Sequence, residues 1–216
     1  METELLTPTA PAWTPSVKRI TFEEYLDSLT EESKGDLFDG VLYMQTPPSD
    51  AHEEIFGFLF DILRNYVLEK KLGVVRGSRT AIRFAEEHGT QPDIVFISNA
   101  RRHLIYPYYI DGAPEVVVEI LSPSTRKFDR GKKMALYAEN GVLEYWQVDP
   151  EDQTAKFLRN NDGVWAPMSV GDDGIFHSEA ISGFWLNVQW LFTEEPLSGL
   201  KIVPMILAGN SKGEME

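Results

Sequence analysis

An α+β fold with an α/β-like core and an antiparallel β extension is what the sequence predicts, on three observations. The strand-like runs VLYMQ, QPDIVFIS, EVVVEIL and EYWQVDP are interleaved with two long helical patterns. EVVVEIL has the nearly continuous apolar character of a strand covered on both faces. AKFLRN and VWAPMSV flank Asn161-Asp162-Gly163, a turn that joins antiparallel strands.

The elements follow in chain order. Residues 1–17 hold Pro, Thr and Ala without periodicity and read as a flexible N-terminal arm. Thr21 to Leu29 suits a short helix, with Thr21 as N-cap and Glu24 in the capping-box position. Val41 to Gln45 reads as a strand after the Asp39-Gly40 turn. The strongest helix comes next, capped by Asp50 with Glu53 three residues on. Ile55, Leu59, Ile62, Leu63 and Tyr66 form its apolar stripe. Lys70 and Lys71 suit its negative end, and Gly73 is its expected stop. Val74 to Ala85 alternates as strands do. Gln91 to Ser98 and Glu115 to Leu121 are further strands, and a helix from about Arg130 to Glu139 follows, capped by Asp129 and stopped by Asn140-Gly141. One domain, 18–195, is expected, followed by a C-terminal extension and tail, 196–216.

With 216 residues, 43% of them hydrophobic, the chain can bury one sizeable core. It has no cysteine, which excludes disulfides and thiolate metal sites and suits a cytoplasmic location. No run approaches about 18 apolar residues, so no membrane span is expected. The start, METELLTPTAPAWTPS, lacks the features of a signal peptide. The net charge of -14 weighs against a protein that grips nucleic acid over a broad surface. Local fields can oppose that charge, however, and acids in a pocket can be neutralised by cations.

The chemistry concentrates where carboxylates interrupt apolar strands. Asp93 shares a face with Val95 and Ile97, and Glu119 shares one with Val117 and Leu121. If the two strands are neighbours, the acids meet at one end of a sheet, an oxygen-rich site of the kind magnesium takes. Pairing with Arg or Lys in a structural network satisfies them equally well. Lys133 lies on the following helix, with Tyr137 one turn along the same face. A lysine near a metal-bound water can orient it and offset charge on a phosphate. Both Lys132 and Lys133 also fit ordinary surface positions.

PDIVFI, then VVEILSPST, then FDRGKKMALYAENGVLEYWQVDP resembles the putative restriction endonuclease family, a group common in cyanobacteria and other bacteria within the PD-(D/E)XK nuclease superfamily. LFDGVLYMQTPPSDAHEEI and ISGFWLNVQWLF extend the resemblance, from about Thr21 to Phe192. It implies a restriction-endonuclease-like mixed central sheet flanked by helices, and a Mg2+- or Mn2+-dependent endonuclease acting on DNA. Asp93 and Glu119 would bind the metal, and Asp36 falls where the family has a glutamate that joins them. The superfamily's lysine position is Leu121 here, and Lys133, on the next helix, fits the role of a migrated lysine. His52 matches the family's helix-start histidine. Ser122, Arg126, Lys132 and Tyr137 complete the expected substrate-binding set, with Arg126, Lys127, Arg130 and Lys132 forming a basic patch. A homodimer is expected, because cutting both strands needs two sites, and the aromatics of IYPYYI are its candidate interface. Two alternatives stay open: a nuclease-like module without catalysis, and a hydrolase of small phosphorylated substrates.

Overall fold

The computed structural model describes residues 18–29, 34–77 and 79–209; the expected N-terminal arm and residues 210–216 of the tail lie outside the described residues. Helix α1 (Phe22–Ser28) begins as its sequence predicts. The Thr21 hydroxyl accepts from the Glu24 amide, and the Glu24 carboxylate accepts from the Thr21 amide. Strands β1 (Gly35–Phe38) and β2 (Val41–Met44) form a hairpin whose turn residues, Asp39 and Gly40, both have positive φ.

Helix α2 (Asp50–Glu69) differs from expectation at both ends. Its N-cap is Ser49, which has extended backbone and a hydroxyl accepting from the His52 amide; Asp50 is the first helical residue. At the other end Lys71, with φ of 54°, takes the left-handed position expected of a glycine. Gly73 instead opens a strand, where a Cβ would lie 2.0 Å from the Ile97 carbonyl oxygen.

The remaining strands are β3 (Gly73–Gly77), β4 (Ala81–Ala85), β5 (His88–Thr90), β6 (Ile94–Ser98), β7 (Tyr109–Asp111), β8 (Val116–Ile120), β9 (Glu144–Asp149), β10 (Thr154–Asn161), β11 (Val164–Pro167), β12 (Ile175–His177) and β13 (Trp185–Asn187). The mixed central sheet has six strands in the order β11-β10-β9-β8-β6-β3. Only its β8–β9 pair is parallel, since a helical crossover joins those two strands. The predicted extension is the β10–β11 hairpin, turned at Asp162 and Gly163 with φ of 51° and 88°. A second sheet, β2-β1-β5-β4-β7, was not separable in the sequence. Its strands have only three to five residues, too few to show a clear period.

The crossover helix starts earlier than expected. It runs through α3 (Arg126–Phe128), a wide π turn (Asp129–Lys133) and α4 (Met134–Glu139), and it ends at Gly141, where φ is 81°. Asp129 therefore lies inside the helix and does not cap it. After residue 195, α5 (Gly199–Leu207) buries Ile202 and Ile206 in the core shared with α2. Among the described residues no helix is long and apolar enough to cross a membrane.

The central sheet is covered on both sides. Ile94, Phe96, Val116, Val118 and Trp146 join the core with the α2 stripe. Val95, Ile97, Val117 and Tyr145 face Tyr137 of α4 and Ile82 and Ile110 of the second sheet. Glu119, two residues after Val117, belongs to this second face. It therefore lies between the crossover helix and β1.

Candidate active site

Strands β6 and β8 are antiparallel neighbours, with Ile94 opposite Val118. One step further, Asp93 reaches the end of β8: the Ile120 amide donates to Asp93 Oδ2 at 2.7 Å. The two carboxylates foreseen in the sequence therefore meet at one end of the sheet, and both are buried.

Lys133 closes the cluster from the crossover helix. Its Nζ lies 3.0 Å from Glu119 Oε1, 3.1 Å from Asp36 Oδ2 and 3.1 Å from Asp129 Oδ1, and the side chain is 1% exposed. The π turn gives Lys133 this position. There the Asp129 carbonyl accepts from Tyr145 OH at 3.1 Å and Gln147 Nε2 at 3.4 Å, which pins the wide turn onto β9. Tyr137 sits one turn on, as its spacing predicts, and donates to Glu119 Oε1 at 2.7 Å. Both contacts to Glu119 use one oxygen, so they do not consume its second.

Asp93 is held differently. Its Oδ1 pairs with Lys34, and its Oδ2 lies 3.4 Å from His52 Nε2. Burial alone would raise the Asp93 carboxyl, but Lys34 and His52 outweigh it and hold the group well below the usual carboxylate range. Glu119 moves the other way. Burial, with Asp129 and Asp93 adding to it, outweighs Lys133 and pushes it up to about 8. Burial opposes the Lys133 charge, yet Asp36, Glu119 and Asp129 together keep it cationic. Lys34 and Lys133 thus face the carboxyl groups of Asp36, Asp93, Glu119 and Asp129.

These groups border a cleft of about 410 Å³, lined by Lys34, His52, Asp93, Glu119, Ser122 and Lys133 among others. Tyr137 and Asp36 stand behind it. Asp36 was expected to join the metal ligands, but its Oδ1 accepts from the Gln91 amide and its Oδ2 from Gln45 Nε2, both at 2.9 Å. With a side chain one carbon shorter than glutamate, it stops at Lys133 and does not line the cleft. The expected basic patch is not assembled either. Arg126 donates to Asp149 Oδ1 and Glu151 Oε2, each at 2.8 Å, and Arg130 donates to Asp149 Oδ2 at 2.9 Å. Asp149 is buried at the end of β9 and needs those cations. Lys132 points to the surface, 5.2 Å over the Tyr43 ring and 5.7 Å over Phe128.

Three contributors were missed in the sequence. Lys34 pairs with Asp93. Gln91 ties the Gly35 amide, Asp36 and the Arg79 carbonyl together. Asp129 serves Lys133, and their i,i+4 spacing was the available signal.

Among the described residues no three His, Cys, Asp or Glu side chains form a cluster able to hold a metal ion alone. A pair of hard carboxylates still fits magnesium, which keeps several waters and is commonly bound by one or two carboxylates plus substrate phosphates.

Fold and cleft together define a nuclease-like α+β protein: a mixed sheet flanked by helices, with two acids and a lysine at one end of it. Residues 22–189 match the Uma2 model, described as "Putative restriction endonuclease", and the chain belongs to that family. A Synechocystis sp. protein described as "Uncharacterized protein slr1290" is 30% identical over 151 residues, 68% of this chain and 78% of its own length. The crystal structure of a putative nuclease belonging to DUF820 from Anabaena variabilis superposes with a TM-score of 0.67 at 21% identity, covering 80% of this chain and 97% of that one. At that identity it speaks for the shared fold.

Proposed function

We propose that the protein is a metal-dependent endonuclease that hydrolyses phosphodiester bonds in DNA, with Asp93 and Glu119 holding Mg2+ or Mn2+ and Lys133 assisting. The observation that carries this reading is the meeting of Asp93 and Glu119 at the end of β6 and β8, in one cleft with Lys133. When bound, the divalent ion polarises the scissile phosphate and lowers the pKa of the attacking water. The protein's own groups do the rest. Asp93 is anchored by the Ile120 amide, and Glu119 is oriented by Lys133 and Tyr137. The Lys133 ammonium, kept cationic by its acids, offsets negative charge developing on the phosphate. His52 and Ser122 line the same cleft, where they meet the substrate.

A nuclease-like module without catalysis is the second reading, favoured by Leu121 in the superfamily's lysine position and by the neutralised arginines. Cutting both strands calls for two clefts, so the endonuclease works as a homodimer; Tyr108, 84% exposed, lies on a candidate face. Incubating supercoiled plasmid with the purified protein separates the readings. Nicked and linear products should appear with Mg2+ or Mn2+ and be absent with EDTA. Intact plasmid under every divalent ion would leave the non-catalytic module standing.

A further inference from the structure

Among the described residues two lysines reach the cleft, and they are held in different ways. Lys133 is enclosed by three carboxylates. Lys34 pairs with one carboxylate among the described residues, Asp93, and its side chain is 19% exposed. The backbone on its C-terminal side is held: the Lys34 carbonyl accepts from the Gln45 amide at 2.8 Å, and the Gly35 amide donates to Gln91 Oε1 at 3.1 Å. The side chain itself is a flexible four-carbon stem carrying a compact charge.

Asp93 divides its two oxygens. Oδ2 is tied to β8 through the Ile120 amide, while Oδ1 carries the Lys34 ammonium. A divalent ion at Asp93 must compete with that ammonium, because two cations at one carboxylate oxygen repel. A displaced Lys34 side chain still has the cleft to enter, because it already lines it.

We propose that Lys34 is the internal counter-cation of Asp93, that a divalent ion displaces it from Oδ1, and that the freed ammonium then binds a phosphate oxygen of the substrate in the same cleft. The inference rests on the hydrolase reading above and adds a residue to it. Lys34 serves as a built-in competitor for the metal until substrate arrives.

The test is Mn2+ binding by the full chain without nucleic acid, followed by electron paramagnetic resonance of free Mn2+. Lys34→Gln should bind Mn2+ about tenfold more tightly than wild type, or better. Lys34→Arg should bind more weakly than wild type, since a guanidinium grips a carboxylate with a fixed fork of donors. Equal or weaker binding by Lys34→Gln overturns the proposal, as does tighter binding by Lys34→Arg, which keeps the test decisive if the glutamine variant fails to fold. Asp93→Asn is the control. If wild type binds Mn2+ through Asp93 and the Lys34 variants match it, only the competition fails. If no variant binds Mn2+, the hydrolase reading falls with it. The phosphate contact is read with DNA in calcium, a non-cleaving substitute. There Lys34→Gln should weaken binding and reduce the salt slope by about one; an unchanged slope overturns that contact.

Discussion

Lys133→Met is expected to destabilise the protein by about 3–5 kcal/mol, the cost of breaking a buried ion pair from one side. The magnitude follows from what the substitution leaves behind. Asp36, Glu119 and Asp129 are each 2% exposed or less, and all three point at the same ammonium. Methionine fills the space but offers no charge and no donors. The deficit should also depend on pH, with a definite sign. Burial first, then neighbouring acids, already push the Glu119 carboxyl from 4.5 up to about 8, and Lys133 is the largest influence pulling it down. A carboxyl raised in the folded state binds more protons there than in the unfolded chain, so its contribution to stability falls as pH rises between those two values. Removing Lys133 strengthens the shift, so the variant goes on losing stability above about 8, where wild type levels off, and the gap to wild type should widen as pH rises past the upper end of that interval. Urea titrations at several pH values measure it. A variant as stable as wild type at the alkaline end of that interval would mean that the lysine is not the centre of the cluster.

Asp93→Asn and Glu119→Gln are expected each to reduce plasmid cleavage by about 10²–10³ or more while leaving the fold intact. The amides preserve shape and part of the bonding. In Asp93→Asn the new side-chain carbonyl can still accept from the Ile120 amide, and in Glu119→Gln it can still accept from Tyr137 OH. Lys133 keeps Asp36 and Asp129 as partners when Glu119 is replaced. What is lost is the anionic oxygen that a hard divalent ion requires. Initial cleavage rates beside circular dichroism melts make the separation. Wild-type rates from either variant would remove that carboxylate from the chemistry.

The part of the site that lies on regular elements was legible in the sequence. Asp93 and Glu119 interrupt apolar strands, and the four-residue spacing of Lys133 and Tyr137 puts both on one helix face. The fold class was legible because apolar runs mark β6, β8 and β9 and a clear apolar stripe marks α2. What escaped depends on contacts between distant segments. Lys34 and Gln91 act through pairings to residues 59 and 55 positions away in the chain, and no local pattern announces them. Arg126 read as a substrate ligand because Asp149, its partner, comes into view only once β9 packs beside β8. The cap of α2 was read as Asp50, but Ser49 before it is an equally good cap residue, and backbone geometry alone decides between them. Asp129 was read as a helix start because the π turn that absorbs it has no signature in composition.

The most direct measurement is a crystal structure of the protein soaked in Mn2+, with the ion located by anomalous scattering. A peak is predicted between Asp93 and Glu119, about 2.0–2.2 Å from an oxygen of each, with Lys133 still on Glu119. An empty map at that position, with Lys34 still seated on Asp93 in saturating Mn2+, would contradict the cation-centred site.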